Sequence, residues 1–176
     1  MHELLREYSK DEKEYKAYVQ SLKSSVLTAF YTPEPLVAAM QESLQVPEIR
    51  PGRFLDPSAG TGMFISRLKD ISEIHCFEKD KLTGKILSSL YPESRVTIDG
   101  FQSIQSYYNG YFDMVSSNIP FGNTRVYDRN FDRCEDAVRK SSLAAVHNYF
   151  FLKGMDTLRE GGILAYITTS GVMDSP

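Results

Sequence analysis

Through the first 29 residues, apolar and aromatic side chains recur at helical spacing among charged ones: Leu4, Leu5, Tyr8, Tyr15, Tyr18, Leu22 and Val26. The spacing predicts one or two helices, an N-terminal helical extension over residues 1–29. Thr32-Pro33-Glu34-Pro35 reads as a second helix start, since a threonine can cap free N–H groups and a proline at the first helical position gives up a donor that would have no partner. This helix runs through Leu36, Val37, Met40 and Leu44 and stops before Pro47. From residue 53 the period changes. Short apolar runs at 53–55, 73–78, 95–98, 111–116 and 163–168 predict five strands. Helices are predicted after the Gly60–Gly62 turn (Phe64, Ile65, Leu68), over Lys81–Leu90 with Gly84 as a weak point, and over most of 134–159, closed by Gly161-Gly162. The last strand, Ile163–Thr168, is apolar enough for burial on both faces.

Strand–helix alternation of this kind predicts an α/β fold, a doubly wound and mostly parallel Rossmann-like sheet over residues 30–176. Residues 122–141 break the pattern. Arg125, Arg129, Arg133, Arg139 and Lys140 mix there with Asp128, Asp132, Glu135, Asp136, Tyr127 and Phe131. The segment reads either as a solvated, partly mobile loop or as a lid that touches substrate.

The chain has 176 residues, enough for one domain, and its 41% hydrophobic and 24% charged content is that of a globular protein. No apolar run approaches the roughly 20 residues of a membrane span, and the N-terminus has no signal-peptide pattern. Cys76 and Cys134 stand alone, as reduced thiols of a cytoplasmic protein do, with no metal-ligand spacing around them. The formal charge is −3, whereas a domain that grips DNA by itself is usually basic. Either the substrate is not nucleic acid, or the gripping surface lies largely outside this chain. Ser175-Pro176 follows a strand and a possible helix start, so the chain is expected to be a piece of something longer, lacking the last strands of its sheet.

Two segments carry chemistry. In Asp56-Pro57-Ser58-Ala59-Gly60-Thr61-Gly62, an acid ends the first strand and two glycines make a tight turn that a ligand can approach. The third glycine of a dinucleotide fingerprint is absent, with Ile65 in its place. A cofactor without a pyrophosphate suits this turn, and S-adenosylmethionine (SAM) is one. Glu78, ending the second strand, is placed to accept hydrogen bonds from ribose hydroxyls. Asp99, after the third, is placed for an adenine amino group, and Phe101 for the adenine ring; either could instead be an ordinary loop or core residue.

The second segment, Asn118-Ile119-Pro120-Phe121, follows the fourth strand. Methyl transfer from a sulfonium to an aromatic amine is a positioning task, helped by acceptors that draw the amine lone pair out of conjugation. The Asn118 side-chain oxygen and the Ile119 carbonyl are two acceptors. Pro120 shapes the turn and Phe121 offers a stacking face.

With these motifs the chain resembles the amino-group DNA methyltransferases in which Phe-Tyr-Thr-Pro precedes the SAM turn. Phe30-Tyr31-Thr32-Pro33 matches that first motif, which in the family packs beside the methionine part of SAM. Asp56–Gly62 matches the SAM loop, with Asp56, Pro57, Ser58, Gly60 and Gly62 as cofactor contacts; Glu78 matches the ribose acid and Asp99 the adenine contact. Asn118–Phe121 matches the catalytic Asn-Pro-Pro-aromatic motif, with Ile119 in place of a proline. His147-Asn148-Tyr149-Phe150-Phe151 resembles the start of the following helix, which puts His147 or Asn148 either at the methyl pocket or in the core. In detail the chain is similar to large adenine-specific methylases of mobile elements, often joined to helicase regions.

The resemblance implies an adenine-N6 DNA methyltransferase acting on a flipped base, with SAM as cofactor, no metal, and a target-recognition or helicase domain as partner. Asn-Ile-Pro-Phe is also similar to the tetrapeptide of rRNA adenine dimethyltransferases. RNA adenine or protein glutamine methylation therefore remains an alternative, as does a SAM-binding module without catalysis.

Overall fold

The computed structural model describes residues 2–28, 32–44, 52–66, 68 and 71–170. Two helices, α1 (His2–Tyr8) and α2 (Glu12–Thr28), open the chain, and α3 (Glu34–Leu44) begins one residue after Pro33. The alternating region gives β1 (Arg53–Asp56), β2 (Glu73–Phe77), α4 (Lys81–Leu90), β3 (Arg95–Thr97) and β4 (Phe112–Asn118). Short helices α5 (Arg129–Arg133) and α6 (Ala137–Ser142) precede α7 (Val146–Thr157) and β5 (Leu158–Ile167).

The strands form one parallel sheet in the order β3-β2-β1-β4-β5. Successive side chains on a strand point to opposite faces. Leu55, Phe77 and Val115 therefore enter one core cluster, with Tyr149 and Phe150 of α7, while Phe54, Cys76 and Met114 enter another, with Val37 of α3 and Leu87 of α4. Burial on both faces is the expected condition of a parallel sheet. The chain reverses its winding between β1 and β4, so the crevice at their carboxyl ends is the switch point where ligands bind in such sheets.

Helix α2 docks on α4. Tyr18 is buried, the Lys85 ammonium lies over its ring and 3.1 Å from Glu14, and the buried Ser21 hydroxyl bonds Asp80, whose other oxygen caps α4 at the Thr83 N–H.

Three expectations are corrected. No regular helix follows the glycine turn among the described residues. Positions 57–66 make a succession of turns, with Ile65 and Ser66 both donating to the Gly62 carbonyl, and positive φ at Gly60 and Gly62 keeps the start of this stretch out of the helical region. Gly161-Gly162 does not close a helix. Helix α7 ends at Thr157, and the glycines sit in an irregular stretch of β5 that loops out between the pairs Phe112–Leu158 and Met114–Ile163. Gly161 has φ 72°, and a Cβ on Gly162 would lie 2.9 Å from the Asp113 carbonyl oxygen. Third, Ile163–Ile167 is half-buried rather than enclosed, because β5 is an edge strand of the described sheet.

Candidate active site

Asp56 ends β1 and is fully buried. Its Oδ1 accepts from the Ser58 N–H at 3.1 Å and from the Ser117 hydroxyl at 2.6 Å, while Oδ2 is buried with no hydrogen-bond partner. Burial pushes the carboxyl up to about 7 against the two hydrogen bonds, and the nearby Glu78 adds to the rise. An orphaned buried carboxylate oxygen at a switch point is a costly feature unless a donor or cation completes it.

Glu78 follows β2 and reaches back to the same turn. Its two oxygens accept from the N–H groups of Gly60 (2.8 Å) and Asp80 (2.7 Å). Burial raises its pKa, opposed by those amides. The two glycines of the turn do different work. Gly60, at φ 56°, has open space where a Cβ would be, whereas a Cβ on Gly62 would meet the Tyr91 ring and Leu87 of α4. Gly60 leaves room for a ligand; Gly62 lets the turn pack on a helix. Pro57 is buried and Ser58 half-buried beside them.

Strand β4 runs two residues further than its apolar run suggested, so Asn118 is its last residue and Ile119 leaves it buried, its N–H bonded to the Ile167 carbonyl at 3.1 Å. Pro120 and Phe121 are exposed, Phe121 at 39%. The pairing of β1 with β4 brings the two sequence motifs together, and Ser117 is the joint: its hydroxyl reaches Asp56, 61 residues earlier. Sequence reasoning passed over Ser117, whose signal was its place directly before Asn118.

Other candidates are spread around the same edge. Asp99 is exposed and accepts from the Gly100 N–H. Phe101 is enclosed between Phe77 and Phe150, so its ring belongs to the core wall beneath the loop. Thr32 is buried and Pro33 exposed, while Phe30 and Tyr31 lie outside the described residues. His147, in the first turn of α7, is half-buried with Nδ1 unpartnered, and Asn148 is exposed. The Thr168 hydroxyl, just past β5, is likewise buried and unpartnered. The chain direction puts Asp56, His147 and Thr168 all on the carboxyl side of the sheet, so this edge collects polar atoms that await partners.

The segment after Phe121 is better ordered than a solvated loop. Asp128 caps α5 at Asn130 and Phe131, accepts from the Tyr149 hydroxyl at 2.7 Å, and lies 3.2 Å from the Lys153 ammonium. The side chains of Lys153 and Asp128 are only 5% and 2% exposed. Burial alone would raise the Asp128 carboxyl, but Tyr149 and Lys153 outweigh it and hold it below its ordinary value. The signal for this tie was a lysine directly after the apolar run Tyr149–Leu152, with an acid that precedes a helical turn to face it.

The sheet order, the switch point and the flanking helices define the Rossmann-like fold of the class I SAM-dependent methyltransferases. A protein assigned to that class, from Listeria monocytogenes, superposes with a TM-score of 0.68 at 19% identity, over 97% of this chain and 57% of that one. A protein assigned as the modification subunit of a type I restriction enzyme, from Vibrio vulnificus, gives 0.59 at 19% identity, over 88% and 37%. In sequence, the chain is 29% identical over 151 residues to the defense against restriction protein B of Escherichia phage P1, covering 84% of this chain and 6% of that protein. It is 26% identical over 161 residues to the type II methyltransferase M.XamI of Xanthomonas campestris pv. amaranthicola, covering 83% and 30%. The chain thus spans less than a third of the length of either relative. No protein-family model matches it. Among the described residues no group of His, Cys, Asp and Glu could hold a metal ion, and no helix is long and apolar enough to cross a membrane.

Proposed function

We propose that residues 30–176 are the catalytic core of a SAM-dependent DNA methyltransferase acting on the exocyclic N6 amine of adenine, with residues 1–29 as a helical extension. The observation that carries this reading is the Ser117–Asp56 hydrogen bond, which joins an acid-and-glycine turn to an Asn-x-Pro-aromatic tetrapeptide at one switch point. M.XamI supports the DNA assignment as a type II methyltransferase, and the phage P1 protein agrees with a setting of restriction and its evasion.

The donor set fits SAM. Its ammonium and sulfonium are cationic, and Asp56 Oδ2 is a buried acceptor in need of such a partner. The open side of Gly60 admits the ligand to the backbone, and Glu78, each of whose oxygens keeps a second lone pair beside its amide contact, is an acceptor for ribose hydroxyls. Asp99 is exposed for the adenine edge. Tyr31, Thr32 and Pro33 are assigned to the methionine end on the motif alone. SAM, when bound, supplies an electrophilic methyl group.

The chain supplies alignment. The Asn118 oxygen and the Ile119 carbonyl accept the two N–H groups of the target amine and turn its lone pair toward the methyl. Pro120 keeps that carbonyl in place, and Phe121 stacks on a base drawn out of the helix. The isoleucine at 119 leaves the backbone acceptor intact.

Calorimetric titration with SAM, beside Asp56→Ala and Glu78→Ala, tests the cofactor half: binding is expected in the parent chain and lost in both variants. Asn118→Ala should keep SAM binding and lower methyl transfer to DNA adenine by about 10²–10³-fold. Unchanged transfer refutes the catalytic assignment, and faster transfer to RNA or to a peptide glutamine moves the substrate class.

A further inference from the structure

The chain is acidic overall, yet its arginines are not evenly committed. Among the described arginines, Arg53, Arg95, Arg139 and Arg159 lie in ion pairs with carboxylates, and Arg6 lies over the Tyr15 ring. Arg125, Arg129 and Arg133 are exposed, and none has a carboxylate within ion-pair distance among the described residues. All three fall in the twelve residues that follow Phe121. Within 122–133 the acids are Asp128, buried and neutralised by Lys153, and Asp132, the one exposed acid. Arg129 and Arg133 are four apart on α5 and share a face. Tyr127, 76% exposed, stands between them and Arg125.

This display is tied to the core. Asp128 ties the base of α5 to Tyr149 and Lys153 of α7, Phe131 is buried against Tyr149, and the Val126 N–H bonds the Leu143 carbonyl at 2.9 Å. A guanidinium is a planar fork of donors that matches a phosphate bidentately, so an exposed one without a carboxylate can take an anion at the cost of ordering its own rotamers.

We propose that Arg125, Arg129 and Arg133 form a phosphodiester-binding surface that grips the DNA strand carrying the target base, with Tyr127 as a stacking face for a neighbouring base. The inference rests on the methyltransferase reading only for the identity of the strand; the polyanion chemistry stands on the unpaired arginines themselves. It refines the expectation drawn from net charge, because the local field at a surface, not the charge of the whole chain, governs contact with phosphates.

The test is binding of a fluorescently labelled single-stranded DNA oligonucleotide to the chain by anisotropy, from 50 to 200 mM salt, beside the triple variant Arg125→Gln/Arg129→Gln/Arg133→Gln. Each phosphate contact contributes about 0.7 to the slope of log affinity against log salt for a single strand. The variant is expected to lose about 2 from that slope, while SAM titration is unchanged. Equal slopes for parent and triple variant, or no binding by the parent at 50 mM salt, overturn the proposal. Arginine-dependent DNA binding by a chain that fails to bind SAM supports the surface and sinks the methyltransferase reading, so the two fail separately. RNA of the same sequence, bound more tightly than DNA with the same arginine dependence, keeps the surface and reassigns the strand.

Discussion

Replacing Asp56 by asparagine isolates the energetic cost of the buried acid. The side chain has no exposed surface, and burial raises its pKa from 3.8 to about 7. A carboxyl whose folded pKa is raised keeps its proton in the folded chain where the unfolded chain has lost it. Stability therefore falls as pH climbs from about 4 to about 7 and is level above that. At about 1.4 kcal/mol per pH unit, the full penalty above pH 7 is about 4 kcal/mol, of which roughly 2 is already present at pH 5.5. The wild-type chain should thus lose about 2 kcal/mol between pH 5.5 and 8.5 that Asp56→Asn does not lose. Asparagine keeps an acceptor for Ser117 and Ser58 and cannot ionise. The other titrating groups are common to both proteins and cancel in the difference. Urea unfolding at the two pH values reads the effect directly, with equal slopes against urea as the check on a two-state comparison. In melting temperature, 2 kcal/mol corresponds to roughly 4–8 °C for a chain of this size. Parallel pH profiles for the two proteins would refute the claim that Asp56 carries buried, unbalanced charge.

The same carboxyl should make cofactor affinity depend on pH: a cation beside Oδ2 lowers its pKa, so SAM binds more tightly as pH rises to about 7 and then levels, with proton release visible as a buffer-dependent enthalpy in calorimetry. Gly62→Ala should cost about 2–4 kcal/mol, since it combines φ 90° with a collision against Tyr91 and Leu87, whereas Gly60→Ala should cost about 1–2 kcal/mol and show mainly as weaker SAM binding. Chemical denaturation and calorimetry on both variants separate the two roles. Lys153→Met removes one partner of a buried pair and should destabilise by about 3–5 kcal/mol, with faster amide exchange across 122–133; exchange unchanged there would show that the ion pair does not hold the segment.

The order of elements and the position of both chemical motifs were legible along the chain, because strand and helix periods, a proline at a helix start and a glycine turn are local properties. Asp56 at the end of β1, Glu78 just after β2 and Asn118 at the end of β4 stand within two residues of the strand ends that the alternation predicts. The misreadings came where one local pattern has two tertiary outcomes. Gly161-Gly162 can end a helix or bulge a strand, and the pairing of β5 with β4 selected the bulge. The apolar run at 163–168 can be a central or an edge strand, and the place of β5 at the end of the described sheet left it half-buried.

The sequence by itself thus determined the class of fold and the residues available at the carboxyl ends of its strands, since spacing along the chain decides which side chains each strand end presents. Only the tertiary structure decided what those residues do to one another. Parallel pairing of β1 with β4 brings Ser117 onto Asp56 across 61 residues, and the surrounding layers remove the water that would hold that acid near its ordinary pKa. Burial likewise commits Asp128 to Lys153 and leaves Arg125, Arg129 and Arg133 on the surface without a carboxylate. Contacts between distant segments and the exclusion of solvent are properties of the packed chain, and no periodicity encodes them.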